Sequence, residues 1–263
     1  MFSEFYIIFP ALTAGILILV IHVPLGIEII RRGVVFIDLP IAQLAAMGAL
    51  FGMIFFHELE GTFAHLVIIH GLALLSAFAG SLLFMYIEKY HPKTEFVEAF
   101  IGCVFVLSAT LILLVLGQSA HVGDHLKDVL AGELLFVTWS QVGLLGIMVA
   151  LSAFIMYRFR NMIFFGKYFY LFIAFFITIS VKIAGIYLVF ATLMFPGVAV
   201  YYVTQYKKKL LWGYIGSFIA LIGGLLFSYF LDLATGPAIV WSIALTMFVI
   251  FYIKHRAFIK ASK

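Results

Sequence analysis

The chain has 263 residues, of which 65% are hydrophobic and 11% charged. Soluble domains carry about a quarter charged residues, so the composition excludes a soluble globular enzyme and indicates an all-α polytopic membrane protein, read as one domain over residues 1–263. The net charge of +4 would suit nucleic acid if it were clustered, but it is spread between apolar blocks and gives no such partner. Cys103 is the single cysteine, which excludes an intramolecular disulfide or a thiolate metal cluster within one chain.

The apolar blocks are about 20 residues long, the helix length that crosses a ~30 Å hydrocarbon core. In chain order the predicted spans cover 5–30, 34–56, 63–87, 96–116, 137–157, 168–184, 186–203, 210–231 and 234–253. Residues 1–4 lack a basic stretch, so no cleaved signal peptide is expected. Of the 16 basic residues, 14 fall on alternate loops: Arg31 and Arg32; Lys89 and Lys93; Arg158, Arg160 and Lys167; Lys207 to Lys209; and Lys254, Arg256, Lys260 and Lys263. The intervening loops hold Glu58, Glu60, Asp124, Asp128, Glu133 and Asp232. By the positive-inside rule the N-terminus lies outside and the C-terminus in the cytoplasm, with an odd number of crossings. About nine spans (eight to nine) are predicted. The segment 168–203 is short for two crossings, so two broken helices hinged near Gly185 are expected there, of the kind that line cavities.

Polar groups inside these blocks carry the functional reading. Asp38, Pro40 and Gln43 lie in the first half of the second block. An ionisable group in hydrocarbon is expensive and marks a translocation path, unless it sits at the span's end beside Arg31 or Arg32. Asp38 and Gln43 are five residues apart, about 140° around a regular helix; Pro40 could distort that turn and bring them closer. His22, two residues before Pro24, is a third candidate for the path, or else a hydrogen-bonded core histidine. Gly48 and Gly52 allow close approach of another helix.

In an outer loop, His121, Asp124, His125 and Asp128 follow helical spacing and would present two imidazoles and two carboxylates on one face, a set suited to zinc, manganese or iron. The alternative is a solvated loop, and Gly123 weakens the helix that the metal reading needs. His57, Glu58, Glu60, His65 and His70 form a second outer group, but Gly61 stands where a zinc-protease motif needs its second histidine. These residues read as interfacial. Lys182 can snorkel from the outer end of the sixth block. No G-x-x-x-x-G-K-[ST] occurs, so any ATP hydrolysis belongs to another polypeptide.

Several motifs in order resemble the membrane permeases of ATP-driven zinc, manganese and iron importers. They are Pro24-Leu-Gly26 before Arg31-Arg32, Glu98-Ala-Phe-Ile-Gly102, Leu130-Ala-Gly-Glu-Leu-Leu135, the run from Lys182 to Ala199 with its Pro196-Gly-Val-Ala199 end, and Asp232-Leu-Ala-Thr-Gly236-Pro237. The resemblance implies a type II importer-like permease in a bacterial inner (plasma) membrane. It would act as a homodimer on a dimer of ATP-binding subunits, fed by an extracytoplasmic metal-binding protein. The metal is cargo, ATP is held by the partner, and no cofactor is permanently bound. A short cytoplasmic helix over 196–209, with Pro196, Gly197, Ala199 and Lys207, would couple to the ATPase, although lipid headgroups are an alternative partner for Lys207 to Lys209.

The chain departs from the family twice. Leu39 and Gln43 stand where the family has an Asp and a His four residues apart, and the cytoplasmic loop between Asn161 and Lys182 is shortened. The leading expectation is a permease subunit with no catalytic residues of its own. It would work by alternating access at a homodimer interface, with Asp38, Gln43 and His22 on the path. The alternatives are an ion-gradient-driven transporter or channel without an ATPase, and an assembly protein without flux.

Overall fold

The first helix carries a proline in its middle, and the way the chain compensates organises one half of the fold. The computed structural model describes residues 2–91, 93–116, 134–159, 162–163 and 168–261. Among them are eight helices long and apolar enough to cross a membrane. They are α1 (Phe2–Arg32), α2 (Asp38–Phe55), α3 (Phe63–Tyr90), α4 (Thr94–Leu116), α5 (Trp139–Arg158), α6 (Phe169–Ala199), α7 (Tyr206–Leu231) and α8 (Thr235–Ala261).

The difference from nine predicted spans lies in α6. The expected segments 168–184 and 186–203 form one 31-residue element with a break at Gly185, whose φ of 77° and ψ of 162° are not helical. Only glycine adopts that conformation freely. The pieces, residues 169–184 and 186–199, are about 24 and 21 Å long at 1.5 Å per residue, each shorter than a ~30 Å core. The second piece ends at Ala199 rather than 203.

The chain forms two compact units, and it passes from one to the other between Lys182 and Ile183. The first unit contains residues 1–33, 130–160 and 183–263. In it α1 packs against α5 and α7, and α7 against α8. The spanning part of α1 is 61% buried and that of α8 22%, so α1 is the core helix and α8 turns most of its surface outward. Pro24 has no N–H, and the carbonyl four residues earlier loses its helical partner. That carbonyl belongs to Val20, and the Tyr214 hydroxyl of α7 donates to it at 2.7 Å. In a membrane such a replacement is what makes an interior proline tolerable.

Two residues further on, α1 meets α6 backbone to backbone. A methyl group at Gly26 would collide with the carbonyl of Leu193, and one at Gly197 would lie 2.7 Å from the carbonyl of Gly26. Both glycines belong to motifs that stand far apart in sequence, and here they interlock. Asp232 ends α7 in the left-handed conformation, φ 52°. The Ser228 hydroxyl donates to the Leu233 carbonyl at 2.8 Å and lies 2.9 Å from that of Thr235. This closes the turn into α8.

The second unit contains residues 34–129 and 161–182, and there α2 packs along α3 and α4. The Gly48 and Gly52 faces lie on α3, with Leu72 and Ser76 against the first and Ile69 against the second. The small-residue pair therefore packs two helices of this subunit. Phe84 of α3 meets Phe100 of α4 edge to face at 6.4 Å. Thr62 caps α3, its hydroxyl oxygen accepting from the His65 N–H at 3.2 Å.

Two measurements test this packing. Gly26→Ala is expected to destabilise the protein by about 1–3 kcal/mol or more through overpacking, while Gly143→Ala, with open space around it, leaves the detergent melting temperature unchanged. Tyr214→Phe leaves the Val20 carbonyl without its donor and should lower stability by about 1–3 kcal/mol. A melting temperature equal to wild type would show that the carbonyl needs no partner.

Candidate translocation site

The α2 helix begins at Asp38, so the preceding residues 34–37 of the predicted span are a turn. The Glu98 carboxylate of α4 accepts from the Val35 N–H at 3.1 Å and fastens that turn. Pro40 thus falls in the first helical turn, where its missing N–H would have had no intrahelical partner. It does not distort the helix, and Asp38 and Gln43 stay about 140° apart. The expectation that Pro40 draws them together is corrected by its position.

Asp38 is buried at 2% exposure, and its Oδ1 has no hydrogen-bond partner among the described residues. The backbone N–H groups of Asp38 and Leu39 reach the carboxylate, and a negative charge is favoured at a helix N-terminus. Arg31 and Arg32 both bond Glu28 Oε1, at 2.5 and 3.1 Å. Gln43 is half-buried on α2. Its amide oxygen is a neutral donor to a cation, better matched to hard ions than to zinc.

His22 is fully buried in the first unit. Its Nδ1 lies 2.7 Å from the Thr192 hydroxyl, which also bonds the Leu188 and Val189 carbonyls at 2.8 and 2.9 Å. Thr192 was invisible to the sequence reading, because no local pattern links residues 170 positions apart. Its tell is its place one turn before Pro196. A narrow apolar cavity of about 10 Å³ lies beside it, lined by Gly15, Leu19, Leu188, Thr192 and Leu221 among others.

The four residues expected to couple to an ATPase are separated by secondary structure. Pro196, Gly197 and Ala199 are buried in the last turn of α6, and Lys207 is exposed in the first turn of α7. No helix of its own spans 196–209. Residues 200–205 form a turn between the two long helices instead.

The cluster His121, Asp124, His125 and Asp128 lies outside the described residues. Of the second group, His57, Glu58 and Glu60 are exposed, His65 is buried, and His70 bonds the Leu66 carbonyl at 2.6 Å. The Lys182 ammonium lies against His70 Nε2 within the second unit. Among the described residues no three His, Cys, Asp or Glu side chains converge to hold a metal.

Residues 161–254 match the sequence pattern of the ABC 3 transport family. The chain is 25% identical to the high-affinity zinc uptake system membrane protein ZnuB of Haemophilus influenzae, over 90% of this chain and 93% of that one. Over residues 161–254 the chain resembles members of that family. Its fold is also that found in PsaBC from Streptococcus pneumoniae, solved in complex with Fab, with a TM-score of 0.67, 19% identity and 95% of each chain covered. The stretch that matches the ABC 3 family includes the Gly185 break, Thr192, the Pro196 end of α6 and the whole turn into α7. It stops short of α2, where Asp38 and Gln43 lie.

The His22–Thr192 contact is testable on its own. Thr192→Val keeps the shape and removes the hydroxyl, and should destabilise by about 1–3 kcal/mol. The His22→Ala, Thr192→Val double variant should lose less than the sum of the singles, read by thermal melting in detergent. Additive losses would show that the two side chains do not interact.

Proposed function

We propose that this protein is the membrane-spanning permease subunit of an ATP-driven importer for divalent transition-metal ions, zinc or manganese, in a bacterial inner membrane. The observation that carries the reading is the likeness to the zinc uptake membrane protein over nearly the full length of both chains. Two copies of the chain would flank the route, on a dimer of ATP-binding subunits and beneath an extracytoplasmic metal-binding protein. The alternation of basic loops supports an outer N-terminus and a cytoplasmic C-terminus. The lack of a phosphate-cradling loop in the sequence supports ATP hydrolysis on a separate subunit.

Asp38 gives the route its charge. Its buried Oδ1 has no donor among the described residues, and a passing divalent cation supplies the partner that a buried carboxylate needs. Gln43 offers a second oxygen on another side of α2, so the two act as successive contacts or with the second copy, rather than as one chelate. Weak successive contacts suit a transport path, where an ion must leave as readily as it enters. His22, held by Thr192, keeps α1 and residues 186–199 of α6 in register. His121, Asp124, His125 and Asp128 would receive the ion on the outer side. Pro196, Gly197, Ala199 and Lys207 would link the permease to the ATPase.

The test is metal uptake into proteoliposomes holding the permease with its ATPase. Uptake should require ATP. Asp38→Asn should lower it about tenfold, the scale of one charge-assisted contact, and Gln43→Ala by less. Uptake that survives without ATP and collapses with a protonophore would overturn the reading in favour of a gradient-driven carrier.

A further inference from the structure

The hairpin of α7 and α8 gathers positive charge at one end and places its acidic residue at the other. Between residues 200 and 261 the only acidic residue is Asp232, which ends α7 at the turn into α8. The opposite end carries Lys207, Lys208 and Lys209 in the first turn of α7, and Lys254 and Arg256 near the end of α8. α1 runs antiparallel to α7, with Gly15 against Leu221 and Val23 against Gly213, and so brings Arg31 and Arg32 to the same end. Glu28 bonds both arginines. Among the described residues no ion pair reaches the basic residues of the hairpin. Three lysines are also poorly placed for α7 itself, because a helix N-terminus carries partial positive charge and favours acids. Its first turn has no acid, and Gln205 before it makes no side-chain cap.

Lys254 focuses this charge. It continues the face of α8 from which Met247 and Ile250 press onto Gly216, so its half-buried side chain lies on the seam between the two helices. Its ammonium sits over the Trp212 ring of α7 at 3.4 Å. Lys208, one turn before Trp212, is exposed and repels Lys254. Two like charges are thus held at one aromatic ring, and an anion between them relieves both. Below that ring the same face of α7 continues with Ile215 and Ile219, 41% and 56% exposed. Charge followed by apolar surface is the order of groups in a lipid. Lys254 lies near the end of the candidate span Thr235–Ile259, and tryptophan and basic residues at span ends mark the headgroup level.

We propose that Lys208, Lys254 and Trp212 form a binding site for the phosphate of an anionic phospholipid, with Ile215 and Ile219 carrying the first part of an acyl chain. Trp212 holds the Lys254 ammonium in place, and Lys208 supplies the second charge. The occupant is a lipid rather than free phosphate, because the apolar track runs on directly from the charged end. The site stands whatever ion the route carries.

The full chain, stripped of lipid in a neutral detergent, is titrated with phosphatidylglycerol, phosphatidylcholine or inorganic phosphate, and bound lipid is counted by native mass spectrometry. Phosphatidylglycerol should bind about 25-fold more tightly than phosphatidylcholine, the joint scale of two basic residues at an anionic surface. Inorganic phosphate should not displace it. Lys208→Gln and Lys254→Gln should each weaken phosphatidylglycerol binding by about fivefold, the scale of one such residue. Lys254→Arg keeps a cation on the ring and should bind as wild type does. Lys89→Gln removes a charge of the second unit that also lies over a ring, that of Tyr90 at 5.2 Å, and should change nothing. Equal binding of the two lipids, displacement by phosphate, wild-type binding in Lys208→Gln, or an equal loss in Lys89→Gln overturns the proposal. Lys208 is exposed, so its variant decides the matter if Lys254→Gln does not fold.

Discussion

The contact between the backbones of α1 and α6 is the constraint on which the first unit depends. Helices in a membrane gain no hydrophobic energy by leaving lipid for one another, so they associate through close packing and a few polar contacts. Gly26 and Gly197 bring the two chains together at the Leu193 and Gly26 carbonyls. With that spacing set, Thr192 comes within 2.7 Å of His22 one turn away on both helices. The same spacing fixes the last turn of α6, which contains Pro196, and where the turn toward α7 emerges.

Pro24 shows the same logic from the other side. A proline in a spanning helix frees a carbonyl that no water can satisfy, and the Tyr214 hydroxyl takes it. Proline, glycine and tyrosine thus act together, although they are read separately in the sequence. The Pro-Leu-Gly motif is a joint: the proline calls for a donor from α7, and the glycine admits α6.

Much of the fold was legible because apolar blocks of spanning length and the glycine at 185 are strong local signals. The break near Gly185 was expected and is found; hydropathy, which registers apolar length alone, did not show that the two pieces form one element ending at Ala199. The ends of α2 were misread for a related reason. Val34 to Ile37 are as apolar as a helix, and only the Glu98 bond to Val35 shows that they form a turn. Placing the start at Asp38 turned Pro40 from a distorting residue into an ordinary first-turn proline. Thr192 was missed because its partner lies on another helix, and a threonine in an apolar run carries no periodic mark. The metal-type spacing at 121–128 was legible as chemistry, but it falls outside the described residues.

The break at Gly185 also alters the electrostatics of α6. An unbroken helix of that length would carry one dipole, with its partial charges at the two extremities. Interrupted, it becomes two shorter dipoles head to tail, so a partly negative carbonyl end and a partly positive amide end meet within the element itself. A charged species near that residue meets an oriented field to which the peptide groups contribute, alongside the Lys182 ammonium three residues earlier.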